Sequence, residues 1–366
     1  MKQPLAILLF TLYFLSGISG QEIIPFDTAH WEINARGYIL ENYHGKDAIY
    51  LQQGYANLRD REFLNGTIEF DIYLTERRSF PGIRFRAVDV ANMESFYFRP
   101  HLSGQPDANQ ATPVINGISG WQLYFGPAYS FPYEYRFDAW THVRLVVRDD
   151  RAQLFLDHSE KPNFSWVLKR PPQSGRIAIG GGLAPMHYAN FRIDPQRSEL
   201  VDFQATRPEP IEGVIREWTI SDKFDEKMLE ETKGLPQLIA ARTWPHTVRI
   251  EENSAANISW AASRPGSDGN TVFAKLTLTS ERDQLKLFEF GYSDRVVVIL
   301  NGQPIYRGDN GYTTRDYRYL GTIGLFDSVY LDLKKGENTL LFAVSENFGG
   351  WGITGRMADD AGVKIK

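Results

Sequence analysis

From residue 66 onward apolar and polar positions alternate with a period of two, in short runs that end at Gly, Pro, Asn or Asp. The clearest before residue 194 are GTIEFDIYL (66 to 74), GIRFRAV (82 to 88), SFYFRPH (95 to 101), GWQLYFG (120 to 126), THVRLVVRD (141 to 149), AQLFLD (152 to 157) and RIAIGG (176 to 181). Successive side chains of a strand point to opposite faces, so each run predicts a strand with one buried face. No segment of helical period interrupts them. Antiparallel strands in this number close most economically as two packed sheets.

From Asp194 the periodicity stops, and DPQRSELVDFQATRPEPIEG is rich in charge and proline. Residues 195–212 therefore read as a linker between a first domain, 21–194, and a second, 213–366. The second returns to strands at TVFAKLTLTS (271 to 280), QLKLFEFGY (284 to 292), DRVVVILNGQPIYRG (294 to 308) and TLLFAVSEN (339 to 347). Asn301-Gly302 marks a hairpin, because both central positions of its tight turn want positive φ. Asp225 to Glu231 predicts a short acidic helix. The expected fold class is all-β, two β-sandwich (jelly-roll) domains in tandem.

Composition agrees with that reading. A chain of 366 residues suits two cores, and 13% aromatic residues with 31 Gly and 19 Pro fit strands and turns. The first twenty residues, MKQPLAILLFTLYFLSGISG, carry Lys2, an apolar run from Leu5 to Leu15 and a small-residue end at Gly20. That is the pattern of a secretory signal peptide at 1–20, so an exported protein, periplasmic or extracellular, is expected, with no membrane attachment after cleavage. There is no cysteine, which excludes disulfides and thiol catalysis. Loss of Lys2 with the signal moves the formal charge from −5 to −6, and so mild a balance argues against nucleic acid as a partner. Three Asn-x-Ser/Thr triplets, at Asn65, Asn163 and Asn257, match a glycosylation pattern common enough by chance to carry no weight.

Several stretches resemble known families. WEINARG from Trp31, LNGTIEFDIYL, the run opening at Pro81-Gly82-Ile83, and AWTHVRLVV followed by AQLFLD resemble the concanavalin A-like lectin and glucanase superfamily. Within it they are similar to laminin G-like modules and to the exported 3-keto-disaccharide hydrolase domain. VVVILNGQPIYRG and LDLKKGENTLLFAV resemble the galactose-binding-like jelly rolls that accompany many glycosidases, including the sugar-binding domain of glycoside hydrolase family two. These likenesses imply architecture and a sugar-related role. Fold alone does not choose between binding and catalysis.

A glycosidase needs two carboxyl groups across a cleft. The laminarinase-like branch of the superfamily carries them as Glu-x-Asp-x-x-Glu, whereas Glu69-x-Asp71 here is followed by Leu74 where the second glutamate belongs and by Glu76 two residues beyond. That site is not expected. Glu69, Asp71 and His101 stand as acid and base candidates for a glycoside-processing enzyme, the alternative to a non-catalytic carbohydrate-binding protein.

Period two sends Arg84 and Arg86, then Tyr97, Arg99 and His101, then Gln122 and Tyr124, to the face opposite the core. If their strands are neighbours, these residues share a surface with Glu69 and Asp71. Arginine forks suit hydroxyl pairs and carboxylates, and aromatic rings suit sugar faces, so an oligosaccharide or polysaccharide with some acidic or oxidised character is one reading. A salt-bridged solvent face, in which each exposed ion pair contributes only about 0–1 kcal/mol, is the other. Phe348 and Trp351, in Asn347-Phe348-Gly349-Gly350-Trp351, form a secondary candidate, with Trp351 also suited to closing a core.

The seven histidines show no HExxH motif, Ser119 lacks the GxSxG frame, and the glycine clusters precede no helix. No metal or cofactor is expected, beyond the first two oxygens of a Ca²⁺ site at Asp107 and Asn109, whose spacing matches no known loop.

Overall fold

The computed structural model describes residues 22–316 and 320–366, so the expected signal peptide lies outside the described residues. Twelve strands in the first half join one hydrogen-bonded sheet, along the path Phe164–Val167, Arg151–Leu156, Ala139–Arg148, Gly66–Leu74, Met186–Asp194, Lys46–Leu58, Arg176–Gly181, Gly82–Ala87, Glu94–Phe98 and Asn109–Ala111, with Glu22–Ile23 and Trp31–Tyr43 attached at the side. Lys46–Leu58 is the hinge of this path. Its first half pairs with Met186–Asp194 and its second with Arg176–Gly181.

Between those halves Gln53 and Gly54 have φ of 46° and 148°. A Cβ at Gly54 would stand 2.2 Å from the Asn34 carbonyl, so only glycine permits the close crossing there. The bend folds the sheet into two layers around one core. Ile68, Phe70 and Ile72 enter it from one layer and Ile83, Phe85, Phe96 and Phe98 from the other, all at most 1% exposed. The alternation read from the sequence thus comes from burial of one face.

The second half forms a second sandwich. A seven-stranded sheet runs His246–Arg249, Glu217–Ile220, Thr271–Ser280, Gly336–Ser345, Arg295–Leu300 and Gln303–Asp309, with Val363–Ile365 beside Thr271–Ser280. A four-stranded sheet, Ala256–Asn257, Gly352–Met357, Gln284–Ser293 and Asp327–Leu333, covers it. Leu276 and Phe342 from one sheet share a core with Phe288, Phe290 and Ile353 from the other. Asn301 and Gly302 make the expected turn, with φ of 51° and 82°. The acidic segment is a 3-10 turn, Glu226–Leu229, capped by the Asp225 carboxylate on the Lys227 N–H, and with the helix Leu235–Ala240 it packs on the outer face of the seven-stranded sheet.

GWQLYFG is not a strand. The N–H groups of Leu123 and Tyr124 both reach the Gly120 carbonyl, which closes a turn. Its alternation arises because the turn docks on the second sandwich: Leu123 and Tyr124 join Ala128, Tyr129, Ala255 and Ile323 in a small core between the two bodies. Gln122 completes the clamp. Its backbone N–H donates to the Gly349 carbonyl at 2.9 Å, its Nε2 to Leu320 O at 3.0 Å, and its Oε1 accepts from Ser293 at 2.8 Å. A hairpin, Val114–Ile115 with Ile118–Ser119, reaches across as well, placing Ile118 in the second core.

Candidate functional site

Where the clamp holds the sandwiches together, a cleft of ≈ 980 Å³ opens between them. Its floor is the outer face of Gly82–Ala87 and Glu94–Phe98, adjacent strands paired Gly82 to Tyr97 and Arg84 to Ser95. Because Phe85, Phe96 and Phe98 occupy the core, Arg84, Tyr97 and, beyond the strand end, Arg99 and His101 line the cleft. The opposite wall belongs to the second sandwich and brings Phe348, Tyr312 and Glu346.

The Arg84 guanidinium lies over the Tyr55 ring, 3.6 Å from its centroid. Tyr97 donates to Gln110 Oε1 at 2.6 Å and accepts from Arg99 Nη2 at 3.0 Å; Arg99 also bonds Gln110 and the Asp107 carbonyl. Gln110 passes the network on, donating to the carbonyls of Trp121 and Tyr124. Burial raises the Tyr97 hydroxyl above its ordinary pKa and keeps it protonated. Burial, helped by the positive charges of Arg78 and Arg99, lowers His101, so its ring is neutral near pH 7. His101 packs edge-on against Phe80 at 5.3 Å, and its buried Nδ1 has no hydrogen-bond partner among the described residues.

Three rings from both bodies meet at the cleft. Trp121 lies 5.7 Å from Phe348 and 6.0 Å from Tyr312, which is itself 6.0 Å from Phe348. Phe348 is 54% exposed and Tyr312 38%, so both present apolar surface to solvent. Glu346 lies behind them, 3% exposed, with Oε1 accepting from the Gly350 N–H and a buried Oε2 that meets no partner among the described residues. Burial, and after it the neighbouring Asp294 carboxylate, push Glu346 up to about 8. The protonated form is therefore favoured at pH 7.

The other expected site residues fall elsewhere, each for a definite reason. Arg86 follows a register shift against Arg176–Gly181 and takes φ of 50°, which turns its side chain inward to donate to Leu64 O at 2.7 Å and Asn65 Oδ1 at 2.9 Å. Gln122 and Tyr124 are fully buried between the sandwiches, where Tyr124 donates to Glu251 and accepts from Asn257. Trp351 is a core residue, its Nε1 donating to Val344 O.

Glu69 and Asp71 lie on the outer face of the opposite layer, because three strands and the bend separate them from Gly82–Ala87 along the sheet. There Asp71 accepts from Lys46 at 2.7 Å, Asn190 at 2.6 Å and His142 Nδ1 at 2.8 Å. Burial alone would raise its carboxyl, yet these three donors hold it at about 2. Arg197 and His142 stand 3.6 and 3.8 Å from Glu69. Period two does define this face, but its carboxylates are occupied.

Asp107 pairs with Arg99 at 3.6 Å, and the Asn109 amide is spent on the Phe131 backbone, so the two do not converge. Among the described residues no group of three His, Cys, Asp or Glu is placed to hold a metal ion, and no helix is long and apolar enough to cross a membrane.

The expected set lacks Tyr55, Arg78, Trp121, Tyr312 and Glu346. Tyr312 and Glu346 come from the second sandwich, so no local pattern in the first could include them. Trp121 carries a signal, an aromatic beside Gly120, but period two in GWQLYFG puts it on the core side of the expected strand, opposite Gln122 and Tyr124.

No family model matches the chain, and no curated protein matches it. Similar solved structures include a β-glucanase from Bacillus licheniformis, 11% identical with a TM-score of 0.35, the likeness covering 49% of this chain and 100% of that one. A carbohydrate binding module from Bacillus subtilis is 13% identical at a TM-score of 0.35, over 44% and 93% of the two chains. A glycosyl hydrolase family protein from Mycobacterium fortuitum is 12% identical at 0.30, over 46% and 93%. At these identities and scores they leave the ligand to be read from the cleft itself.

Proposed function

We propose that this is an exported carbohydrate-binding protein, periplasmic or extracellular, that holds an oligosaccharide or a stretch of polysaccharide in the cleft between its two sandwiches. The observation that carries the reading is the joint wall of half-buried Trp121 and exposed Tyr312 and Phe348, rings from two bodies facing a floor of polar side chains. Sugars present apolar C–H faces and polar rims, and a concave site with stacking rings and a few fixed hydrogen-bonding groups matches both. Tyr97, Arg99 and Gln110 are locked to one another, so the floor is ordered before a ligand arrives and little entropy is lost on binding.

Calorimetric titration of the full chain with a panel of oligosaccharides tests this. Binding at millimolar or tighter affinity is expected, reduced about tenfold in Phe348→Ala and Trp121→Ala. No binding by any saccharide would end the proposal.

Glu346 favours a second reading, a glycoside-processing enzyme. A carboxylic acid that stays protonated at pH 7 beside a sugar site is suited to general-acid work. Incubation with 3-keto-glycosides and plant oligosaccharides supports this only where turnover appears in the wild type and is lost in Glu346→Gln.

A further inference from the structure

Arg84 is arranged unlike the other cations of the cleft. One flat face of its guanidinium rests on Tyr55, which leaves the N–H edges as its remaining binding surface. Among the described residues those edges have no hydrogen-bond or ion-pair partner, although the side chain is half-buried in the cleft. Arg99, by contrast, is tied to Tyr97, Gln110 and Asp107.

The charge around Arg84 is one-sided. Arg78, Arg99 and Arg264 also line the cleft, against the acids Asp107 and Glu346. Asp107 is engaged with Arg99, and Glu346 stays neutral because burial and the adjacent Asp294 disfavour its charge. His101 is neutral as well. A partly desolvated cation with no counter-charge is unfavourable by itself, and a ligand anion would relieve it.

We propose that the saccharide taken by this cleft is anionic, a uronate or a sulfated sugar whose carboxylate or sulfate is received by the N–H edge of Arg84. This rests on the carbohydrate reading of the cleft. The ring-backed guanidinium offers paired donors in one plane, which suits the paired oxygens of either anion, while Trp121, Tyr312 and Phe348 take the sugar faces.

The test is titration of the full chain at low salt with neutral, uronate and sulfated oligosaccharides of matched length. At least one anionic series is expected to bind tenfold or more tighter than the neutral one, and its affinity to fall as salt rises. Arg84→Gln should erase that preference, bringing the anionic and neutral affinities of the variant within about twofold of each other. Arg84→Lys, which keeps the charge and loses the fork, should retain part of it. The relative strength of the uronate and sulfate arms identifies the anion. Neutral sugars binding as tightly as both anionic series, or a preference that survives Arg84→Gln, overturns the inference and leaves the carbohydrate reading intact. Failure of all three series removes both.

Discussion

The carboxylate of Asp294 accepts the backbone N–H of Phe348 at 2.7 Å, and through the same Oδ2 the N–H of Asn347, also at 2.7 Å. A buried side chain of the second sandwich thereby fixes the loop that presents an exposed ring to the cleft. The Ser293 hydroxyl supports the arrangement, sharing its one proton between Gln122 Oε1 of the first sandwich at 2.8 Å and Asp294 Oδ1 at 3.2 Å.

Asp294→Ala should therefore lose more than stability. Two loop N–H groups are left without their acceptor, at a cost of about 1–3 kcal/mol, and Phe348 is no longer held in place. Denaturant unfolding should show the first effect. Calorimetry with a bound saccharide should show the second, as a weakening close to that of Phe348→Ala.

Glu346 makes stability fall as pH rises. Its carboxyl titrates near 8 in the folded protein against 4.5 in an unfolded chain. Between those values the folded state binds the extra proton, so the group's contribution is full below about 4.5 and gone once the pH has passed 8, with a slope of at most about 1.4 kcal/mol per pH unit. Glu94, fully in the core layer and pushed up to about 7 chiefly by burial, adds a slope of the same sign. In Glu346→Gln the thermal midpoint should decline less between pH 5 and 8 than in the wild type, with Glu94 left to account for the rest. An unchanged slope would show that Glu346 is ionised throughout.

Asp71 behaves in the opposite sense and at the opposite face. Held at about 2 against 3.8 by His142, Lys46 and Asn190 despite its burial, it contributes stability above pH 3.8 that disappears as the pH falls through 2. Removing the buried carboxylate leaves half-buried Lys46, His142 and Asn190 without their shared acceptor, so Asp71→Ala should destabilise by about 1–3 kcal/mol, read by urea unfolding. Saccharide affinity at 25 °C should stay within about twofold of the wild type, because the whole thickness of the first sandwich separates Asp71 from the cleft.

The contrast between Asp71 and Arg84 shows what could be read in advance. Both lie on outward faces, as period two expects, and Arg84 meets Tyr97 because their strands are consecutive and paired, while Arg99 and His101 join them from beyond the strand end, His101 on a 3-10 turn. Period two could not show that Glu69 and Asp71 belong to the other layer, since spatial strand order depends on the bend at Gln53 and Gly54. Arg86 left the pattern at a local register shift, which breaks the parity on which such readings depend. Gln122 and Tyr124 alternate for a reason no strand rule contains: a turn buried between two bodies. Phe348 was legible from its glycine-flanked loop, but its companionship with Trp121 exists only once the sandwiches dock.

That docking is the last point open to direct test. Gln122 joins three parts of the second sandwich, at Ser293, Leu320 and Gly349, while Asn253 and Asn257 reach back to Leu123 and Tyr124 at 2.9 Å each. Gln122→Ala keeps the backbone bond to Gly349 but deprives Leu320 O of its donor and Ser293 of the nearer of its two acceptors in a buried seam, which should cost about 1–3 kcal/mol. Each sandwich keeps its own core, the second joined from the first half by Ile118 alone, and both should remain folded. The expected result is a calorimetric unfolding profile that splits into two transitions, together with a loss of saccharide affinity of roughly tenfold as the ring wall drifts from the Arg84 floor. A single transition at unchanged temperature, with affinity intact, would mean that the small core around Leu123 and Tyr124 holds the cleft without Gln122.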